Sequence, residues 1–418
     1  MNSKRYKLVG PFREALTMRK LPIKGALKDS QLEIVNNAGL LIAGNNIEAI
    51  DVFETLAKTY DADVIEITKP CVVLPGFVDM HTHIAFGGNR ANDFALRNAG
   101  CTYLEIAEAG GGIWSTVKDT RSLSQVQLAN LTAQRAQYLL QQGITTIEVK
   151  SGYGLSVDDE LKTLRAIKYA QTLTKADLIA TCLAAHTLPK DFNGGHIDYL
   201  NWVSNELLPI LKKEQLTNRI DAFIEKSAFS TDQILPYYEK AISMGFDITV
   251  HADQFTPGGS AVAVKVGALS ADHLEASGDK EIQMLSKSNV IAGILPGASM
   301  GLGCSFAPAR KLLDAGAAVA IGTDWNPGSA PMGQLMTQAS VLACFEKLSN
   351  AELLAAITFR AAAALNLKDR GVLDKHYKAD FTIYNTDNYK EITWQQGSLH
   401  PIQVWKNGEC VFENKFQK

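Results

Sequence analysis

Between about Val72 and Asn366, short apolar runs alternate with longer amphipathic stretches. The apolar runs are Val73–Asp79, Thr145–Val149, Leu178–Ala185, Ile220–Glu225, Phe246–Val250, Ala268–Asp272, Val290–Leu295 and Val319–Thr323. Unbroken apolar character over so few residues is how a strand covered on both faces reads. The intervening stretches, among them Asp159–Gln171, Ile197–Lys213 and Thr231–Met244, space their apolar side chains at the helical period. Eight strands alternating with helices predict a (β/α)₈ TIM barrel over residues 71–369. An open doubly wound sheet is the alternative, but the glycine-rich dinucleotide turn is missing after the early strands. The first gap, Ile84 to Ile144, is long and holds Gly110-Gly111-Gly112, so an insertion covering the site is expected there.

The two ends read differently. Leu32–Val35, Leu40–Ile42 and Ile47–Ile50 are β-prone and broken by Asn-Ala-Gly and Gly-Asn-Asn turns. Asp380–Tyr384, Gln403–Trp405 and Cys410–Phe412 alternate, with Asn407-Gly408 as a hairpin turn. Residues 1–70 and 370–418 are therefore expected to form one discontinuous β-sandwich domain.

Composition narrows the function classes. Of 418 residues, 46% are hydrophobic and 20% charged, the balance of a packed globular chain. The 41 basic and 44 acidic side chains leave a charge of −3, with no concentrated basic face to hold nucleic acid or an anionic membrane. Met1–Lys20 is polar, carries several Lys and Arg and is unlike a secretory signal. No run is long enough to span a bilayer, so a cytoplasmic protein is expected. Six scattered cysteines form no C-x-x-C pair and read as buried small hydrophobes in a reducing compartment.

In a barrel of this kind the loops converge where the strands end, so the closing residues are the ones to test for chemistry. His81-Thr82-His83 closes the first predicted strand, Lys150-Ser151-Gly152-Tyr153 the second and His186 the third. Glu225, His251, His273 and Asp324 close the fourth, fifth, sixth and eighth; the seventh ends in Leu295-Pro296-Gly297 and offers no ligand. Five of the eight histidines thus fall at strand ends. His81 and His83 project to the same side, about 7 Å apart at Cα, and with His251 and Asp324 make an N/O donor set with an open position, a catalytic divalent-metal site. Zinc is favoured, and iron or manganese would accept the same donors. Such a metal lowers the pKa of bound water to about 7. Asp324 is placed to take the nucleophile's proton, and His273 to polarise a carbonyl or carry a proton. His186 is open to a metal or a substrate role.

These strings resemble the amidohydrolase superfamily and, within it, the imidazolonepropionase family. The resemblance rests on Leu74-Pro-Gly-Phe-Val-Asp-Met-His-Thr-His83, Gly87-Gly-Asn-Arg90, Gly110-Gly-Gly-Ile113 and Glu148-Val-Lys-Ser-Gly-Tyr-Gly-Leu155. It continues through Ala185-His186, His251-Ala-Asp253, Ser270-Ala-Asp-His273 and Thr323-Asp-Trp-Asn-Pro-Gly-Ser329. His-Thr-His marks only the superfamily, whereas Lys-Ser-Gly-Tyr-Gly-Leu and Asp-Trp-Asn-Pro-Gly-Ser belong to the narrower group. The resemblance implies hydrolysis of 4-imidazolone-5-propanoate to N-formimidoyl-L-glutamate in L-histidine degradation. It implies one metal ion on His81, His83, His251 and Asp324, substrate contacts from Arg90, Tyr153 and His186, and product-side contacts from Asn326, Gly328 and Ser329. It also implies a homodimer. Arg90 suits the substrate's propanoate because a guanidinium binds a carboxylate through two parallel hydrogen bonds.

Gln254 stands where some family members carry Glu. A glutamine cannot act as a base, so Gln254 is expected to orient substrate or water while Asp324 and His273 move protons. Lys150 sits where other superfamily enzymes carry a carboxylated lysine between two metals. Here it is expected to be buried against Glu148 or a loop carbonyl, beside a single ion. Two further readings remain: an aminohydrolase of a nucleobase-like ring, separable by assaying guanine and cytosine, and a non-catalytic barrel, separable by metal content.

Overall fold

The computed structural model describes residues 6–102, 105 and 109–414; residues 1–5 and 415–418 of the expected β-domain lie outside that range. The chain opens with β1 (Tyr6–Leu16), β2 (Ile34–Ala43), β3 (Asn46–Val52), β4 (Ala62–Glu66) and β5 (Val72–Pro75). Next come β6 (Phe77–Asp79), β7 (Ile144–Lys150), β8 (Asp177–Ala185) and β9 (Arg219–Ala222). They are followed by β10 (Asp247–Ala252), β11 (Ser270–His273), β12 (Ile291–Ile294) and β13 (Val319–Ile321). The last strands are β14 (Phe381–Tyr384), β15 (Gln403–Lys406) and β16 (Glu409–Glu413).

Strands β6 to β13 pair parallel in chain order, with helices between them. Segments just past β6 and β13 close the ring. Thr82 bridges Trp325, the Asp324 amide donates to His81 O at 2.9 Å, and the His83 amide donates to Trp325 O at 2.9 Å. Asp79 adds a side-chain clamp, accepting from Thr323 N at 2.9 Å and Thr323 Oγ1 at 2.6 Å. The bonds that complete the barrel therefore fix His81, His83 and Asp324 relative to one another.

Serine caps start three of the outer helices: Ser124 for Gln125–Gln141, Ser156 for Val157–Ala170 and Ser230 for Thr231–Ser243. Each side chain accepts from a backbone amide of the first turn that would otherwise lack a partner. The stretch expected at Ile197–Lys213 runs from His196 to Glu214 with a wider turn at Val203–Leu207. The long first gap holds helices Ala91–Asn98 and Ile113–Ser122 ahead of the barrel's own helix.

The other sheet is built from both ends of the chain: β16-β15-β14-β5-β1-β2-β3, with β4 also on β1. Two details differ from the sequence reading. Val73–Asp79 is two strands in two sheets, parted at Gly76, where a Cβ would sit 2.4 Å from Thr145 Oγ1. Val73 joins Phe381, Ile383 and Trp405 in the β-domain core, while Val72 and Leu74 enter the barrel core. The predicted strand Ile220–Glu225 stops at Ala222, and Glu225 lies in the loop beyond. β1 itself was not anticipated. Its basic and proline residues disguise a strand whose Leu8, Val9, Phe12, Ala15 and Leu16 are buried because both faces are covered.

The cysteine expectation is corrected in part. Cys71 and Cys182 are buried, but Cys101 is half-buried and Cys304, Cys344 and Cys410 are exposed; all six are free. Cys410 lies on the edge strand β16 and Cys304 directly follows a helix end at Gly303, places where no second layer covers a small side chain. Among the described residues no helix is long and apolar enough to cross a membrane.

Candidate metal centre and substrate pocket

The Nε2 atoms of His81 and His83 lie 3.2 Å apart, and His251 Nε2 lies 3.2 Å from His83 Nε2. Asp324 Oδ1 is 3.5 Å from His81 Nε2 and 3.3 Å from His83 Nε2. Donors arranged tetrahedrally round one zinc at ordinary bond lengths are about 3.3 Å from each other. The spacing is that of ligands about a common ion. Asp324 Oδ1 is buried and has no hydrogen-bond partner among the described residues, which is costly for a carboxylate unless a cation faces it. His273 joins His81 and Asp324 in an overlapping cluster on the same centre.

Carboxylates behind the ring orient two of the imidazoles. Asp272 Oδ2 is 2.8 Å from His81 Nδ1, and Asp221 Oδ2 is 2.9 Å from His251 Nδ1. With Nδ1 facing a carboxylate, Nε2 turns its lone pair inward, the usual support of a metal-bound histidine. Lys150 is fully buried, its Nζ 2.8 Å from both Glu148 Oε1 and Asp221 Oδ2. Glu148 Oε2 in turn accepts from the Thr82 amide at 3.1 Å, between the two histidines of the first strand end.

Burial, then Lys150 and the other imidazoles, push His81 well below its usual pKa; burial and then His186 do the same for His83. Burial lowers His251 to about 3 despite Asp221. Neutral imidazoles are the form that ligates. Burial raises Asp324, with His273 and His251 opposing. Burial opposes the charge of His273, but Glu275, 3.6 Å from Nδ1, together with Asp324 and Asp272, raises it on balance. His273 and Asp324 carry left-handed backbone, φ 87° and 52°, uncommon for residues with side chains and found often at functional sites.

A cavity of about 490 Å³ opens over these groups, lined by His83, Arg90, Tyr153, His186, His251, Gln254, His273, Asp324, Asn326, Gly328 and Ser329 among others. The sequence-predicted residues thus converge on one space. His186 stands apart from the metal cluster: its Nδ1 donates to Gly152 O at 2.9 Å, leaving Nε2 as an acceptor. Gln254 makes no hydrogen bond with the described residues. Asn326 spends its amide on the loop, its Oδ1 accepting from Gly328 N and Ser329 N at 2.7 and 2.8 Å. Glu225 accepts from Phe255 N and Thr256 N, both at 3.0 Å, and so holds the loop that carries Gln254.

Sequence reasoning passed over the supporting carboxylates Asp221, Asp272, Glu275 and Asp93. The available signal was a carboxylate inside an otherwise apolar strand, as in Ile220-Asp221-Ala222 and Ser270-Ala271-Asp272.

Comparison with known proteins decides the family. A model described as the amidohydrolase family matches residues 109–412. Imidazolonepropionases from Bacillus mycoides (strain KBAB4) and Bacillus cereus (strain AH187) are each 38% identical over 384 residues, covering 91% of this chain and 90% of the relative. The chain belongs to the imidazolonepropionase branch of the amidohydrolase family. Solved structures share the fold at low identity. An adenosine deaminase from Xanthomonas campestris with bound zinc superposes at TM-score 0.72, 16% identity, over 97% of this chain and 93% of that one. A zinc complex of an atrazine chlorohydrolase from Arthrobacter aurescens gives TM-score 0.68, 18% identity, over 98% and 95%. Family membership and the donor cluster together make this a metal-dependent hydrolase of C–N bonds.

Proposed function

We infer that this chain hydrolyses 4-imidazolone-5-propanoate to N-formimidoyl-L-glutamate at the strand-end site. The observation that carries the reading is the convergence of three imidazole nitrogens and the unpartnered Asp324 Oδ1, with His83 Nε2 lying 3.2 Å from His81 Nε2, 3.2 Å from His251 Nε2 and 3.3 Å from Asp324 Oδ1. His81, His83, His251 and Asp324 would hold one ion, which we take to be zinc. Bound there, it would lower the pKa of a water to about 7 and polarise a carbonyl oxygen.

The chain's own residues do the rest. Arg90 anchors the propanoate, its terminal nitrogens matching the two carboxylate oxygens. His186 Nε2 accepts from a ring N–H, and the Tyr153 hydroxyl closes the opposite side of the ring. Gln254, with its amide unengaged, orients water or substrate. Asp324 takes a proton as water adds to the ring carbonyl carbon. His273, steadied by Glu275, passes a proton to the ring nitrogen as the C–N bond breaks. The ring opens without parting the molecule: the former carbonyl carbon becomes the α-carboxylate, and the released nitrogen ends as the terminal nitrogen of a formimidoyl group still attached through the other ring nitrogen. Asn326 shapes the loop on which Gly328 and Ser329 border the new carboxylate.

Loss of the imidazolone absorbance, followed before and after chelation and after zinc is restored, tests the reading. Activity abolished by chelation and recovered with zinc, with guanine and cytosine untouched, is the expected result. Undiminished turnover by metal-free protein, or none by the zinc-loaded form, would overturn it. The homodimer belongs to the same reading, and sedimentation as a monomer would remove it.

A further inference from the structure

The insertion after β6 brings a second guanidinium into the pocket. Arg90 and Arg97 both line it, from either end of the helix Ala91–Asn98, with one carboxylate, Asp93, between them. Asp93 is 6% exposed, and its Oδ2 accepts from Arg90 Nε at 2.7 Å and from the Gly112 amide at 2.8 Å. That contact uses Arg90's side nitrogen, the side chain's only hydrogen bond with the described residues, and leaves the terminal pair for a ligand. Gly328 makes room for that pair: a Cβ there would sit 2.3 Å from Arg90 Nη1.

Among the described residues Arg97 has no such partner. Its side chain lines the pocket, and its guanidinium makes no hydrogen bond with the described residues. Among the described residues of this helix that line the pocket, two cations stand against one carboxylate. A guanidinium beside a pocket with its donors unengaged suits a carboxylate that enters there.

We propose that Arg97 is a second binding residue for the substrate's carboxylate tail, acting beside Arg90, which Asp93 holds in alignment. The proposal rests on the reading of the pocket given above. It makes the short helix of the insertion a recognition element for a monoanionic tail: Arg90 takes the carboxylate through its fork, Arg97 caps the remaining oxygen lone pairs, and Asp93 ties both the helix and the Gly110–Gly112 turn to the site. A neutral tail carries no charge to match the two guanidiniums and offers one acceptor oxygen where a carboxylate offers two, so the pair sets specificity as well as affinity.

The test compares two ligands on the zinc-loaded protein: 3-(imidazol-4-yl)propanoate, which has the tail but no hydrolysable bond, and its propanamide. Calorimetry gives the ratio of their dissociation constants in one preparation, so any loss of active protein cancels. The native chain is expected to favour the carboxylate by about tenfold or more. Arg97→Met should erase most of that preference and raise KM for 4-imidazolone-5-propanoate about tenfold, with kcat within about threefold. Arg97→Lys should keep most of the preference, and Asp93→Asn should lose part of it. An unchanged preference in Arg97→Met, with Arg90→Met losing it, would overturn the role of Arg97 alone. A preference untouched by either change would overturn the tail-binding reading of the whole wall.

Discussion

Asp221 illustrates how much of this site is decided by side chains that never meet the substrate. Its Oδ2 is shared between Lys150 Nζ at 2.8 Å and His251 Nδ1 at 2.9 Å. Burial disfavours its charge, but His251 and Lys150 more than compensate and hold the carboxyl far below its usual range. Asp221→Asn keeps the shape while removing the charge that orients His251, so zinc affinity should fall about 10–100-fold. Competition with a chelator of known affinity measures this, and unaltered affinity would show that packing alone sets the ring. Asp324→Asn is the harsher change, because the same oxygen both faces the ion and takes the proton. A loss of about 10²–10⁴ in kcat is expected, and near-normal turnover would move the proton-accepting role to another group. The strand-end histidines and Asp324 were legible in the sequence because strand ends in a barrel share one rim. Asp221 and Asp272 were not, because an acidic residue inside a strand signals burial without saying which imidazole it faces.

At the level of elements, the decisive feature is the break at Gly76. An apolar run such as Val73–Asp79 has no mark for a change of sheet, since Val, Leu and Phe suit either core. Only the glycine, pressed against Thr145, signals it. The Gly76 amide donates to Asp380 O at 2.9 Å, tying the turn to the β-domain, while Phe77 begins the barrel. Gly76→Ala places a methyl 2.4 Å from Thr145 Oγ1 and 2.6 Å from its Cγ2. Overpacking of this kind costs about 1–3 kcal/mol. Thermal unfolding should shift down accordingly, with part of the loss recovered in Gly76→Ala/Thr145→Ala. Full additivity of the two changes would show that the contact is relieved elsewhere. The eight-strand barrel was readable because each strand is a separate apolar run. β1 was not, because its alternation is interrupted by Pro11 and Arg13, whose outward positions follow from pairing with strands distant in sequence.

Across the whole molecule, barrel and β-domain are joined through charge as well as through the shared apolar core. Asp177, at the start of β8, lies 2.8 Å from Lys406 Nζ on β15, 2.5 Å from Arg370 Nη1 and 3.5 Å from Lys378 Nζ. Burial works against its ionised form, but Lys406, followed by Arg370 and Lys378, lowers it to about 2. Because the folded value lies below that of an unfolded aspartate, near 4, the ionised carboxylate stabilises the fold above that pH. The contribution shrinks as the pH falls from about 4 toward 2, and its full size is of order 2 kcal/mol. Asp177→Asn removes it at every pH. The gap in urea midpoint between native and variant protein should therefore be widest near pH 7, roughly halved by pH 3, and narrower at high salt, where the partly exposed side of the cluster is screened. A gap that stays constant from pH 7 to pH 3 would mean that the apolar strands β5 and β14, rather than this ion cluster, carry the coupling between the two units.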